Sequence, residues 1–163
     1  MTIAVEDRTG QGLVNEEMFQ RLVRKITKEQ DVSTERATRI MDQALAFLAT
    51  CAKSREPLSP SEAVDIGWHT FILYTREYAD FCERIAGHFI HHEPTDTGRI
   101  STNRTAVESI SVTMNAIREA GFSVDLPLWT ASADCNQCTD GCTHSGGDTG
   151  CHHHLIGAAT VSA

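Results

Sequence analysis

The sequence predicts an all-α protein: an irregular bundle of about five helices carrying a flexible Cys/His-rich C-terminal tail. Three observations predict it. Apolar residues recur at three- and four-residue spacing through most of the chain before Phe122, which is the period of a helix face. Capping residues and Gly or Pro stops cut that pattern into lengths suited to single helices. No stretch of useful length alternates apolar and polar residues as a half-buried strand does. Composition changes sharply after Trp129, so the chain divides into a loose arm at 1–12, a helical domain at 13–129 and a tail at 130–163.

The first helix opens at Asn15, a good N-cap, with Glu16 and Glu17 at the positive end of the helix dipole. Its stripe is Met18/Phe19, Leu22/Val23 and Ile26. Asp31 or Ser33 caps a second helix with Ala37, Ile40/Met41, Ala44/Leu45, Leu48 and Ala52 on one side, and Pro57 marks its end. "SPSE" reads as the third start: Ser59 caps, Pro60 takes the first helical position and Glu62 closes a capping box. That helix, "AVDIGWHTFILY", has Val64, Trp68 and Phe71 on one side and Ile66 and Leu73 on another. A helix apolar nearly all round belongs in the middle of a bundle. The chain re-caps near Thr75, and a fourth helix carries Tyr78, Phe81/Cys82 and Ile85 up to a stop at Gly87. After a loop, a helix from about Thr102 to Ala120 points Val107, Ile110, Met114 and Ile117 inward, and Gly121 ends it. "FSVDLPLW" reads as a short irregular or extended link.

The 163 residues carry a net charge of −8, which argues against a nucleic-acid backbone as partner. From Phe122 onward there are four aspartates (Asp125, Asp134, Asp140 and Asp148) and no lysine or arginine. The N-terminus lacks a charged-then-apolar signal pattern, and no apolar run reaches membrane-spanning length. These features point to a cytoplasmic protein, where thiols stay reduced and clustered cysteines are read first as metal ligands or redox groups.

Asp65 and His69 are four residues apart on the most apolar helix, so they share a face. A polar group in a core needs a partner, because leaving it unpaired costs about 1–3 kcal/mol or more. Asp65 can orient the His69 ring, both can face a metal, or the pair can close a hydrogen-bond network with other helices. His88, His91 and His92 follow a helix end. In an extended segment His88 and His92 share one side and His91 the other, so at most two of them can join a site with His69. Solvent-facing histidines beside a loop are the plainer reading. Cys51 and Cys82 read as buried structural thiols and Trp68 as core.

Residues 64–94, "VDIGWHTFILYTREYADFCERIAGHFIHHEP", resemble the glycine-rich domain-containing protein-like family. The resemblance rests on Asp65, Trp68, His69, Tyr78, Cys82, Gly87 and His92 before Pro94. It implies a small helical domain and no particular activity. Members often read Trp-His-x-His, and here Phe71 stands in place of the second histidine. If that pair holds a metal in relatives, this chain lacks one ligand.

The tail, "CNQCTDGCTHSGGDTGCHHH", places Cys135, Cys138, Cys142 and Cys151 beside His144 and His152. Zinc takes four nitrogen or sulfur ligands, and copper(I) prefers thiolate. Both sulfurs of a Cys-x2-Cys turn can reach one ion, and Gly141, Gly146, Gly147 and Gly150 let the backbone wrap it. The spacing matches no finger or ribbon. An iron–sulfur cluster is a lesser alternative, as are redox sensing by Cys135 and Cys138 and a tail with incidental thiols. The expected function is a helical carrier with a C-terminal zinc- or copper-binding element, for metal handling or for binding a protein partner. Two other classes remain open. One is a metal-dependent enzyme whose composite site includes Asp65, His69 and His92. The other is the precursor of a ribosomally made, modified peptide with the tail as its core.

Overall fold

A computed structural model describes residues 8–92 and 104–130. These residues form a 3₁₀ turn at Gln11–Leu13 and six α-helices: α1 Glu16–Gln30, α2 Thr34–Cys51, α3 Glu62–Ile72, α4 Thr75–Ala86, α5 Ala106–Glu119 and α6 Leu126–Thr130. The helical class agrees with the periodicity. The sixth helix lies where a link was expected. Its residues carry too short a pattern to announce a helix, and packing decides it: Leu128 and Trp129 are buried, and Leu128 N–H donates to Asp125 O at 2.9 Å.

Local chemistry sets most boundaries as read. Asn15 accepts from Met18 N–H at 2.8 Å and starts α1. Ser33, rather than Asp31, caps α2 by accepting from Arg36 N–H at 3.1 Å. Asp31 instead ends α1 in the left-handed region, at φ 51°. Two expectations are corrected. The cap of α3 is Ser61, not Ser59. Its hydroxyl accepts from Val64 N–H at 3.2 Å and donates to Leu128 O at 2.7 Å, which ties the helix start to α6. Ser59 N–H is spent elsewhere, on Thr113 Oγ1 at 3.1 Å. Val107 does not point inward; it is 79% exposed, because α5 buries only its later residues Thr113 and Ile117. The α5 start is fixed by a capping box between Thr105 and Glu108.

The amphipathic helices α1 and α2 pack on α3, which also meets α4 and α6. The central place expected for α3 follows from its apolar sides and from Gly67. A Cβ at Gly67 would lie 2.6 Å from Ala44 Cβ and 3.1 Å from Ile40 O, so only glycine lets α2 and α3 approach this closely. Phe47 sits at the junction, fully buried, with its ring 5.4 Å from Trp68 and 6.2 Å from Trp129. Burying such a side chain stabilises the fold by about 1.5–3 kcal/mol.

Residues 8–12, read as part of a loose arm, are held at several points. Arg8 N–H donates to Gly121 O at 3.0 Å and forms an isolated parallel bridge with Phe122. Gln11 N–H donates to Asp42 Oδ1 at 2.8 Å. Gly10 lies so close to α2 that a Cβ would fall 2.0 Å from Asp42 O.

Gln43, 2% exposed, organises the return from α5 to α6. Its amide NH₂ donates to Ser123 O at 3.2 Å and Asp42 Oδ2 at 3.3 Å. Its carbonyl accepts from Asp125 N–H at 3.1 Å and Trp129 Nε1–H at 2.7 Å. Asp125 in turn takes a two-pronged bond from Arg39, at 2.6 and 2.7 Å. That carboxylate raises the Arg39 pKa, mainly through the side-chain hydrogen bond.

Candidate metal centre

Asp65 and His69 stand one turn apart on α3, and His92 is brought to them by the segment that leaves α4. Gly87 ends α4 with φ 71°, a left-handed conformation open to glycine, and the chain turns back towards α3. Asp65 then faces two imidazoles. His92 Nε2–H donates to Asp65 Oδ1 at 2.7 Å, and His69 Nδ1–H lies 3.0 Å from both Asp65 Oδ2 and the Asp65 carbonyl oxygen. A carboxylate only accepts, so these ring nitrogens carry the protons in this arrangement. The two rings lie 4.2 Å apart, centre to centre, and Trp68 covers the His92 ring at 4.4 Å.

One donor atom from each of Asp65, His69 and His92 lies within 4.8 Å of the other two. A tetrahedral zinc with bonds of about 2.0–2.1 Å spaces its ligand atoms about 3.3–3.5 Å apart. Closing the three donors on one ion takes side-chain rotations and the move of each imidazole proton to the other ring nitrogen, because a protonated nitrogen has no lone pair to give. The site is sheltered on one side and open on the other: the side chains of His92, Asp65 and His69 are 16%, 31% and 60% exposed. Three protein donors with an open side match the donor count of zinc sites that keep a position for water.

The segment carrying His92 is fixed by a short relay. Trp68 Nε1–H donates to Tyr78 Oη at 2.8 Å, and Tyr78 O–H donates to Ile90 O at 2.7 Å. Tyr78 is fully buried, and that burial pushes its phenol above the ordinary range. The nearby histidines do not join the cluster. His88 Nδ1 turns to Ala86 O at 3.0 Å, and His91 packs against Phe89 with ring centres 4.9 Å apart. Of the three, only His92 reaches His69, within the limit set by the extended spacing.

Phe71 proves to lie elsewhere. It is fully buried, with its ring 5.3 Å from Tyr78 and 5.2 Å from Phe81. Two residues on from His69, position 71 points to the far side of α3. A histidine there would enter the core rather than the Asp65 cluster, so Phe71 removes no ligand from it.

Cys82 is fully buried, as expected, whereas Cys51 is only partly buried, and burial pushes its thiol up to about 12. The six tail positions Cys135, Cys138, Cys142, Cys151, His144 and His152 lie outside the described residues. Among the described residues, no helix is long and apolar enough to cross a membrane.

A family model described as UCP032817-like matches residues 11–117. The chain belongs to that family. The UCP032817-like match contains Asp65, His69 and His92 together with Trp68 and Tyr78, and it ends before α6 and the cysteine-rich tail. No curated protein and no solved structure matches the chain.

Proposed function

We propose that this chain is a metal-handling helical domain in which Asp65, His69 and His92 hold a zinc-type divalent cation. The observation that carries the reading is the convergence of these three donors, two from α3 and one from a separate segment, within 4.8 Å. Imidazole and carboxylate are a borderline donor set that suits zinc better than copper(I), which prefers thiolate. On this reading a metal is the first partner. Its open position takes water or a donor from a protein partner, and the cytoplasm is the expected setting. The resemblance to the glycine-rich domain-containing protein-like family belongs to the same proposal. Five of the seven positions that carry it, Asp65, Trp68, His69, Tyr78 and His92, meet at this one place. The tail thiols Cys135, Cys138, Cys142 and Cys151, with His144 and His152, are proposed as a second, thiolate-rich element for zinc or copper.

The exposed His69 side supports an enzymatic second reading. A cation with three protein ligands there leaves room for a bound water, which zinc makes nucleophilic near neutral pH. The sequence and the site identify no substrate for it.

The test is equilibrium dialysis of the full-length chain against zinc, with elemental analysis. Three forms are compared: the native chain, a variant with Cys135, Cys138, Cys142 and Cys151 all changed to Ser, and that variant with Asp65→Ala added. The proposal expects the serine variant to keep a zinc that Asp65→Ala removes. A serine variant that holds no zinc above the buffer level refutes the site.

A further inference from the structure

We infer that Tyr78 and Trp68 are positioning residues for the metal: neither ligates it, and together they hold His92 where it can. The inference rests on the metal reading above and adds to it the question of how a ligand outside any helix is kept in register with two ligands on α3.

The stretch after Gly87 has no regular structure through His92, so no helical or sheet hydrogen bonds fix it. Its anchor is a side chain. Tyr78 O–H donates to Ile90 O, two residues before His92, at 2.7 Å. Trp68 Nε1–H fills the acceptor side of the same hydroxyl at 2.8 Å, so one buried oxygen is used in both directions and its orientation is set. Trp68 acts a second time through its ring, which lies 4.4 Å from the His92 ring and tilted by 59°. His92 is thus flanked by Trp68 and His69 while Asp65 takes its Nε2–H. Phe89 closes the turn from outside, its ring edge-to-face with that of Tyr78 and their centres 5.1 Å apart.

The anchor is stiff because its parts are buried. Tyr78 is fully buried and Trp68 is 7% exposed. Burial also raises the phenol pKa, which favours the protonated, donating form. Groups that orient metal ligands from outside the coordination shell typically change metal affinity by about 10–100-fold when removed. Tyr78→Phe keeps the ring and its contacts with Phe71 and Phe89 but frees Ile90 O and leaves Trp68 Nε1–H without its partner.

The experiment measures zinc affinity of the full-length chain in the background with all four tail cysteines changed to Ser, by competition with a chromophoric chelator. Folding is checked by circular dichroism, and stability is measured separately by urea unfolding. Tyr78→Phe is compared with Ile117→Ala, a buried truncation on α5 that destabilises without altering the relay. The expected result is zinc affinity weakened about tenfold or more in folded Tyr78→Phe and unchanged in folded Ile117→Ala. The inference is overturned if Tyr78→Phe binds zinc as tightly as its parent, or if Ile117→Ala loses as much. A parent that binds zinc independently of Asp65 and His92 overturns the metal reading itself, and the inference with it. A tight parent with a tight Tyr78→Phe overturns the inference alone.

Discussion

Replacing Gln43 by Leu should cost the fold about 3–5 kcal/mol, although the two side chains are close in size. The leucine fills the space and leaves three groups without partners: Trp129 Nε1–H, Asp125 N–H and Ser123 O. An unpaired buried polar group costs about 1–3 kcal/mol. Trp129 is 3% exposed, so its indole N–H belongs at the upper end. Ser123 and Asp125 are half-buried, so water can reach them, and they belong at the lower end. The assay is urea unfolding of the full-length chain, followed by circular dichroism and by tryptophan fluorescence. Gln43→Glu provides an internal check. It keeps the acceptor for Trp129 but loses the donor to Ser123 and sets a carboxylate beside Asp42, whose Oδ2 is 3.3 Å from Gln43 Nε2. A like charge favours the protonated acid, so this variant should be destabilised near neutral pH and recover part of its deficit on acidification. A loss below about 1 kcal/mol for Gln43→Leu, the value of one ordinary hydrogen bond, would refute the view that this amide is the hub of the α5–α6 return.

Two further outcomes are expected of the described residues. With its pKa near 12 against an ordinary value of 9.0, Cys51 should hold about a thousandfold less thiolate; peptide mapping after iodoacetamide should find it modified far faster in unfolded protein, and rapid native labelling would contradict the raised pKa. Thr105 N–H and Oγ1–H donate to Glu108 at 2.8 and 3.0 Å, and the backbone bond is the main cause that holds this carboxyl below its ordinary range. A depressed folded value means that the stabilisation is present above the unfolded carboxylate pKa and fades as pH falls through the folded one. Thr105→Ala keeps the backbone bond but removes the hydroxyl that caps α5, and should lower stability near neutral pH; Glu108→Gln should flatten the acid limb of the stability–pH curve, and an unchanged acid limb would show that the box contributes nothing there.

The elements legible from sequence were those whose signals are local. Asn15, Ser33 and Gly87 act within a few residues of themselves, and the stripes of α1 and α2 declare their buried sides. The errors arose where a distant element competes. Ser59 and Ser61 offer similar caps, and the choice falls to Ser61 because its hydroxyl also reaches Leu128 O at 2.7 Å, 67 residues away. Val107 fits the apolar stripe of α5, but among the described residues no neighbour covers it. Helix α6 is too short to show a period and exists because Leu128 and Trp129 have a core to enter. The site was legible in part. The spacing of Asp65 and His69 places them together, and the extended segment brings His92 within reach. What spacing could not show is the relay from Trp68 through Tyr78 to Ile90, which depends on how α4 and its exit lie against α3. That Phe71 faces away from the cluster, by contrast, follows from spacing alone, because two residues on from His69 lies the far side of a helix. Gln43 gave no signal at all; a lone glutamine in an amphipathic helix reads as surface.

The most direct test of the central claim is a zinc titration of the full-length chain, in the background with the four tail cysteines changed to Ser, observed through the imidazole nitrogens by long-range proton–nitrogen NMR. The account predicts that His69 Nδ1 and His92 Nε2 shift together and saturate at one equivalent of zinc, while His88 and His91 stay in place. Zinc that leaves both of those resonances unmoved would contradict it.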